Sequence, residues 1–203
     1  LVGVDVSGLE LRMLAHFMGD EDYAREVIDG DVHTVNMHAA GLESRAQAKT
    51  FIYAFLYGAG NQKIGSIVGK GSKDGMRLKE RFLERIPSLG RLIKNVQKAA
   101  ARGYLIGLDG RHLHIRSDHA ALNVLLQSAG ALICKQWMVE VDNMLTQMKW
   151  SHKVRQVAWV HDECQFECDP DIADEAGKKI VECISKAGEF FNIKLPLTGE
   201  YKI

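Results

Sequence analysis

Apolar residues recur along the chain in two patterns, one typical of strands and one typical of helices. The opening run VGVDVSG is apolar and β-branched with one acid, Asp5, and the next segment, LELRMLAHFM, has apolar residues at helical spacing. We predict a strand, a turn and a helix here. The acid-rich passage GDEDYAREVIDGDVHTVNMHAAG that follows predicts short helices joined by loops.

Two cations and two phenols follow one face of the next predicted helix, RAQAKTFIYAFLYG, residues 45–58. Ser44 and Gln47 form a capping-box pattern at its start, and Gly58 and Gly60 supply its stop. Residues spaced by four lie on one face, because each step of four turns only about 40° around the helix axis. These residues are Arg45, Lys49, Tyr53 and Tyr57. Two exposed cations and two half-buried tyrosines without a ligand remain the alternative.

The middle of the chain predicts further helices and then a hairpin. Residues 64–102 have a helical pattern that is broken by the glycine-rich turn GKGSKDG and by Pro87. GYLIGLDGRHLHIRS alternates on either side of an Asp109–Gly110 turn, which is the composition of a β-hairpin.

The last third of the chain predicts a long helix, a second hairpin and an amphipathic helix. HAALNVLLQSAGALICKQWMVEVDNML is mostly apolar, yet it includes Asn123 and Gln127 one turn apart, and these polar residues require partners. VRQVAWVHDECQFEC predicts a strand, a tight turn and a strand, with His161 and Asp162 at the tip. DIADEAGKKIVECISKAGEFF predicts an amphipathic helix.

Length and composition indicate a globular chain. The 203 residues are 46% hydrophobic, which suffices for a core, and no apolar run has the roughly 20 residues that cross a bilayer. We therefore expect a cytoplasmic protein with no membrane partner. The four cysteines lack paired CxxC spacing and are expected to be reduced core thiols. The chain opens without Met inside a strand-like run, and we expect it to be a fragment.

The charges are segregated along the chain, although the net charge is zero. Residues 1–44 hold 2 Lys or Arg against 9 Asp or Glu, residues 45–116 hold 15 against 4, and residues 117–203 hold 9 against 13. A basic block between two acidic ones fits a polyanion-binding face together with carboxylates that hold cations. A solvated helical surface would explain many of the individual lysines.

Two predicted strands each bring a carboxylate to one end, Asp5 and Asp162. An ionised carboxylate in apolar surroundings is costly unless it is paired or binds a metal, so the two acids indicate cations, and Mg²⁺ prefers such oxygen ligands. Either acid alone could simply be a turn or cap residue. Arg45 and Lys49 suit a triphosphate, and tyrosines one and two turns further on suit a base or sugar.

Three segments in this order resemble motifs A, B and C of the family A DNA polymerases. They are DVSGLELR (residues 5–12), RAQAKTFIYAFLYG and VHDE (residues 160–163). The details resemble the bacteriophage T-odd-like branch of that family, notably in the segments SGLELR, AKTFIYAFLYGAG, GLDGR and ALNVLLQSAGALICK. The resemblance implies an α+β fold, a polymerase palm with an antiparallel sheet plus helical fingers. Residues 1–18 and 116–203 would form the palm, and residues 19–115 the fingers.

The resemblance also implies the catalytic residues. Asp5 and Asp162 would bind two Mg²⁺ ions, the backbone carbonyl of Val6 would add a ligand, and Glu163 would be a less essential neighbour. Glu10 falls where the family has its steric gate, a side chain that collides with a ribose 2′-hydroxyl. A helix-surface acid paired with Arg12 is the alternative for Glu10.

Nucleotide and DNA contacts follow from the same resemblance. His33, Arg45 and Lys49 would bind the incoming triphosphate. Tyr53 stands where tyrosine is associated with acceptance of dideoxynucleotides, and Tyr57 would close over the nascent pair. The residues that would contact primer and template are Asn123, Gln127 and His161, with Arg111 and Arg116 on the DNA backbone.

The implied function is template-directed DNA synthesis, in which a primer 3′-OH attacks a deoxynucleoside triphosphate. The family's thumb and exonuclease regions precede motif A and are not in this chain, so upstream polymerase domains or a processivity factor are expected partners besides primer-template DNA. Two alternatives stay open. A metal-dependent nuclease would also use paired aspartates, and a non-catalytic nucleic-acid-binding fragment could use the basic block alone.

Overall fold

The computed structural model describes residues 1–203, apart from the side chain of Asp118. The described chain divides into two compact units. One consists of Leu1–Met13 together with Gln127–Ile203, and is here called the sheet unit; the other is Leu14–Leu126, here called the helical unit.

The elements follow one another in an order that mixes helices and strands. The strands are β1 (Val2–Val6), β2 (Tyr104–Ile106), β3 (His112–His114), β4 (Val154–Val160), β5 (Glu163–Cys168) and β6 (Gly199–Lys202). The helices are α1 (Leu9–Met18), α2 (Glu21–Ile28), α3 (Val32–Ala40), α4 (Arg45–Leu56), α5 (Asn61–Ser66), α6 (Ser72–Arg85), α7 (Pro87–Ala100), α8 (Ala121–Gln147) and α9 (Ala173–Phe190).

The sheet unit is built on an antiparallel sheet with strand order β4-β5-β1-β6. Along β1, Val2 and Val4 are fully buried whereas Asp5 between two buried valines is exposed, because successive side chains of a strand point to opposite faces. Trp137 of α8 is also buried and donates from Nε1 to the carbonyl of Ile180 in α9 at 2.9 Å. The core therefore lies on one face of the sheet, and the Asp5 side chain lies on the other.

An aromatic cluster forms part of the core of the helical unit. The ring centroids of Phe51 and Phe82 are 5.0 Å apart, and those of Phe55 and Phe82 are 5.4 Å apart. α4 begins as the capping pattern predicts, since the Ser44 side chain accepts from the backbone N of Gln47 at 3.2 Å. It ends before Gly58, whose φ of +72° is a conformation that favours glycine.

The predicted turn GKGSKDG is shorter than expected, because α6 already begins at Ser72. Gly75 therefore lies inside a helix, where α5 and α6 approach closely. A Cβ at Gly75 would lie 1.9 Å from the carbonyl oxygen of Asn61 and 2.7 Å from the backbone N of Gly65. This glycine provides room for a neighbouring helix and does not end one.

The other predicted elements are confirmed, and the fold class is α+β. β2 and β3 pair around a turn in which Gly110 has a φ of +82°, and β4 and β5 form the second hairpin. The strand β6 was not predicted; it pairs with β1 along its far edge. The four cysteines are free thiols. Across the described residues, none of the helices has the length and apolarity that crossing a membrane requires.

Candidate active site

Pairing between β1 and β5 brings the two predicted metal-binding aspartates to one end of the sheet. Asp5 pairs with Glu163 in the antiparallel register. Asp162 immediately precedes β5, and its backbone carbonyl accepts a hydrogen bond from the backbone N of Val6 at 3.1 Å. Residues that are more than 150 positions apart in sequence are thus neighbours in the sheet unit.

Asp5 lies among other carboxylates. Partial burial raises its pKa above the ordinary 3.8, and the charges of Asp162, Glu163 and Glu200 raise it further, whereas Lys202 lowers it. Like charges at short range disfavour ionisation unless a cation balances them. The cluster Asp5, Asp162, Glu163 and Glu200, here called the carboxylate cluster, therefore has the chemistry of a cation site.

The turn that carries Asp162 has a left-handed backbone. His161 has a φ of +58°, a conformation that is uncommon for residues other than glycine. The indole Nε1 of Trp159 donates to the carbonyl of His161 at 2.8 Å. Glu163 accepts a short hydrogen bond from the side-chain amide of Gln165 on the same strand.

The predicted sugar gate, Glu10, lies in the first turn of α1 and is half-buried. Gln127 of α8 donates to its Oε1 at 3.1 Å. Burial raises the pKa of Glu10 above the ordinary 4.5, the bond from Gln127 opposes that rise, and the charge of Asp162 adds to it. Gln127 interrupts the apolar pattern of α8 and was expected to need a partner. Its side chain is exposed, and Glu10 is a partner that the sequence could not identify.

In the helical unit, the predicted triphosphate ligand Arg45 pairs with Asp31. Its Nε donates to the two carboxylate oxygens of Asp31 at 3.1 and 2.8 Å. Asp31 also caps α3. Arg45 and the other donors hold the pKa of Asp31 well below its usual range.

His33 and Tyr53 lie beside this ion pair. Burial lowers the pKa of His33 below 6.5, and the cations Arg45 and Lys49 lower it further, with Asp31 opposing them. Its ring centroid is 6.4 Å from that of Tyr53. The buried Nδ1 of His33 has no hydrogen-bond partner in the described part of the chain. These predicted nucleotide ligands are therefore grouped on α3 and α4.

The remaining predicted contacts are more scattered. Tyr57 is 58% exposed at the end of α4, and Arg116 is exposed. Arg111 forms an ion pair of 2.6 Å with Asp109. Asn123, one turn before Gln127 on α8, has a buried Nδ2 without a partner among the residues that the structure describes.

Sequence reasoning missed three residues near these groups. Glu200 pairs with Asp5 across β1 and β6, and the alternation in GEYK was the available signal. Cys134 is buried in α8; burial raises its thiol pKa to about 12, as do the nearby charges of Asp162 and Asp5, so the thiol stays neutral. Asp31 could have been noted as an acid two residues before His33.

The carboxylate cluster offers only part of a metal ion's coordination shell. Over the described residues, no three or more His, Cys, Asp or Glu side chains are arranged as a ready-made metal cage. The donor set nevertheless suits Mg²⁺, which uses one or two protein carboxylates and leaves the rest of its shell to water and phosphate oxygens. The residues therefore fit a hard divalent cation held partly by a substrate.

Comparison with known proteins defines the class. The chain matches the family model described as DNA polymerase family A over residues 1–203. It belongs to this family, whose members use divalent metal ions.

The chain is similar to polymerases of the T-odd phage branch. It is 44% identical to the DNA-directed DNA polymerase of Enterobacteria phage T3 over 227 residues, which cover 99% of this chain and 32% of the relative. It is also 44% identical to the DNA-directed DNA polymerase of Escherichia phage T7 over 224 residues, with the same two coverages. The chain thus spans about a third of the length of these relatives.

The fold is that of a polymerase domain. The POL domain of Pol1 from M. smegmatis, solved in complex with DNA primer-template and dNTP, superimposes with a TM-score of 0.85 at 21% identity. The match covers 98% of this chain and 38% of that domain chain. The prediction of an antiparallel palm sheet with helical fingers is confirmed at the level of the fold.

Proposed function

We propose that this chain is the palm and fingers region of a template-directed DNA polymerase, which joins deoxynucleoside triphosphates to a primer 3′-OH. The observation that carries the proposal is the register of β1 and β5, which sets Asp5 opposite Glu163 and next to Asp162. Family membership and the phage relatives support the reaction class. Residues 1–18 and 116–203 are assigned to the palm and 19–115 to the fingers.

In the sheet unit, Asp5, Asp162 and the carbonyl of Val6 would hold two Mg²⁺ ions. When bound, such ions activate the attacking oxygen and stabilise the leaving pyrophosphate. Glu163 adds negative charge beside them, and its bond from Gln165 limits its movement. Glu10, held by Gln127, would exclude a ribose 2′-hydroxyl by contact.

In the helical unit, Arg45, Lys49 and His33 would bind the triphosphate. Arg45 offers a planar fork of donors, whereas Lys49 acts as a point charge. Tyr53 on α4 would contact the sugar, and Tyr57, which caps the end of α4, would contact the base pair. The DNA contacts assigned to this unit are Asn123, Arg111 and Arg116, and those of the sheet unit are Gln127 and His161.

The proposed partners are primer-template DNA, deoxynucleoside triphosphates, and upstream polymerase domains or a processivity factor. Two observations support them: the M. smegmatis POL domain was solved with DNA primer-template and dNTP, and the phage relatives are about three times as long as this chain. The proposed place of action is the cytoplasm of a bacterial or phage-infected host cell, by analogy with the T3 and T7 relatives.

Primer extension tests the proposal. A labelled primer annealed to a longer template is incubated with the four deoxynucleoside triphosphates and Mg²⁺, using this chain and the full natural polypeptide that contains it. Asp5→Asn and Asp162→Asn should reduce extension by at least about a thousandfold, since each removes a charged metal ligand. Glu167→Gln is the matched control, because it neutralises an exposed acid further along β5.

Three results distinguish the alternatives. Extension that is lost in both aspartate variants and kept in the control supports a polymerase. Shortening of the primer with loss in the same variants would indicate a nuclease. DNA binding that is unchanged in both variants, without any turnover in the wild type, would indicate a non-catalytic binding fragment.

A further inference from the structure

Asp31 joins the beginnings of two helices in the helical unit. Its side chain caps α3 by accepting from the backbone N of His33 at 3.2 Å and of Thr34 at 3.4 Å, and from Thr34 Oγ1 at 2.7 Å. The same carboxylate accepts from Nε of Arg45, the first residue of α4. Asp31 is therefore fixed by one helix and holds the cation that begins the next.

This contact uses only one of the three nitrogens of Arg45. Nε approaches both carboxylate oxygens, at 3.1 and 2.8 Å. A guanidinium carries five N–H donors in a rigid plane, so four donors on the two η nitrogens are left. Within the described residues, the only hydrogen bonds of the Arg45 side chain are the two from Nε, and the η nitrogens make none. Asp31 thus holds Arg45 through Nε, and the two η nitrogens are available to a ligand.

The ion pair is too exposed to matter much for folding. The side chains of Arg45 and Asp31 are 59% and 43% exposed, and water screens pairs of this kind strongly. Its larger effect is on conformation, because an arginine side chain has many rotamers and loses that freedom when it binds a ligand. An arginine that is already held in one direction loses less on binding.

We propose that Asp31 is a positioning residue for the nucleotide, which holds Arg45 by Nε so that both η nitrogens face the triphosphate. The inference rests on the proposed function, in which Arg45 contacts the triphosphate. Asp31 would thus have a second role besides capping α3. Both helix ends belong to the helical unit, so the contact between Asp31 and Arg45 lies within one compact unit.

The opposite role would also follow from an acid beside a phosphate-binding arginine. Asp31 could compete with the triphosphate for the guanidinium and repel its charge. Removal of the carboxylate would then strengthen nucleotide binding. The hydrogen bond through Nε favours the positioning role over competition. A competing acid would occupy the two η nitrogens, which are the donors of a bidentate contact with phosphate.

Asp31→Asn separates the cap from the charge. Asparagine caps helices about as well as aspartate, so α3 should persist while the ion pair is lost. In the full natural polypeptide, the KM for the complementary deoxynucleoside triphosphate should rise about three- to tenfold, with kcat nearly unchanged, since one rotamer-rich side chain must now be ordered on binding. Asp31→Ser, another uncharged cap, should give the same rise.

Asp20→Asn is the matched control. Asp20 caps α2 by accepting from the backbone N of Tyr23 at 3.0 Å, and its other side-chain partner is Ser88 at 2.6 Å. It undergoes the same chemical change without any contact to Arg45. Its KM should equal that of the wild type, which excludes a general effect of losing one capping carboxylate.

A double-mutant cycle with Arg45→Lys tests whether the effect passes through the guanidinium. Lysine has no fork to orient, so Asp31→Asn should raise KM in the wild-type background and have little effect in the Arg45→Lys background.

A KM that falls or stays unchanged in Asp31→Asn would overturn the positioning role, as would an equal rise in both backgrounds, and either result leaves the polymerase assignment intact. A wild-type polypeptide that incorporates no nucleotide would instead overturn the proposed function together with this role of Asp31.

Discussion

The indole of Trp159 donates a hydrogen bond from Nε1 to the carbonyl of His161 at 2.8 Å. The residue it holds has a φ of +58° and immediately precedes Asp162. A residue other than glycine keeps a left-handed backbone conformation only where neighbouring contacts stabilise it. The contact therefore stabilises the backbone from which a proposed metal ligand projects, although the indole itself is 41% exposed.

Trp159→Phe should weaken catalysis more than it weakens the fold. An aromatic ring is kept and the N–H donor is lost, so the Asp162 turn loses one hydrogen bond of about 0.5–1.5 kcal/mol. We expect primer extension to need about three- to tenfold more Mg²⁺ for half-maximal rate, whereas the melting temperature should fall by only about 2–4 °C for each kcal/mol lost. The measurement is a Mg²⁺ titration of the extension rate. Val157→Ala, at another exposed apolar residue of β4, is the control and should leave the titration unchanged.

The carboxylate cluster predicts that one charge fewer stabilises the metal-free protein. The pKa of Asp5 is raised above 3.8, so ionisation of this group opposes folding, and stability is lost as the pH rises through that raised pKa. In EDTA at pH 7, Asp5→Asn should therefore have a slightly higher unfolding temperature. The gain in the free energy of unfolding should be less than about 1 kcal/mol, because the Asp5 side chain is exposed to solvent.

Added Mg²⁺ should reverse this order. Binding to the folded wild type stabilises it by about 1.4 kcal/mol at ten times Kd, and Asp5→Asn should gain little. Thermal unfolding with EDTA and with Mg²⁺ measures both effects. The prediction would be contradicted by a wild type that is more stable than Asp5→Asn in EDTA at pH 7 and gains no stability from Mg²⁺. That result would show that other groups of the protein already neutralise the negative charge of the carboxylate cluster.

Two helical glycines predict opposite effects of the same substitution. Gly75→Ala would set a Cβ at 1.9 Å from the Asn61 carbonyl, so α5 and α6 must separate, and we expect destabilisation of at least about 2 kcal/mol. Gly90→Ala in α7 meets only Leu83 O at 3.8 Å and should stabilise by up to about 1 kcal/mol, because alanine favours the helix. Chemical denaturation measures both; stabilisation by Gly75→Ala would contradict the close approach.

Local signals were sufficient for most of the fold. The α4 cap, the hairpin at Gly110 and the alternation in β1 depend on neighbouring residues, and the structure contains each of them. The sequence predicts too late a start for α6, because glycines near Lys and Ser are typical of a turn. Gly75 is a glycine for another reason, which is the close approach of α5. β6 was missed because a short strand is defined by the strand that it pairs with.

The site was predictable by residue type and less so by contact. The ordered motifs identified Asp5, Asp162 and Arg45, and their assignments remain predictions. No pattern along the chain shows that Gln127 donates to Glu10, 117 positions away, or that Asp31 holds Arg45. Asp5 was expected in apolar surroundings, yet strand alternation exposes it, and its raised pKa arises partly from acids on two neighbouring strands.

Tyr53→Phe should increase discrimination against dideoxynucleotides. The phenol hydroxyl is expected to replace the contact that a missing 3′-OH would make, so its removal leaves that contact unmade. The ratio of dideoxy to deoxy incorporation should fall by at least about tenfold, or about 1.4 kcal/mol. Competition between the two nucleotides at one template position gives this ratio directly. An unchanged ratio would contradict the role, and Tyr104→Phe, a tyrosine of β2, is the control.

Glu10 should exclude ribonucleotides by its volume, and its contact with Gln127 makes this testable. Glu10→Ala removes both the carboxylate and the acceptor of the 3.1 Å bond from Gln127, so the ratio of ribonucleotide to deoxynucleotide incorporation should rise at least about tenfold. Glu10→Gln keeps the size and an acceptor oxygen but not the charge, and should retain most of the discrimination if collision is the cause. Equal loss in both variants would show instead that the negative charge excludes the ribose, and an unchanged ratio in Glu10→Ala would remove Glu10 from sugar selection altogether.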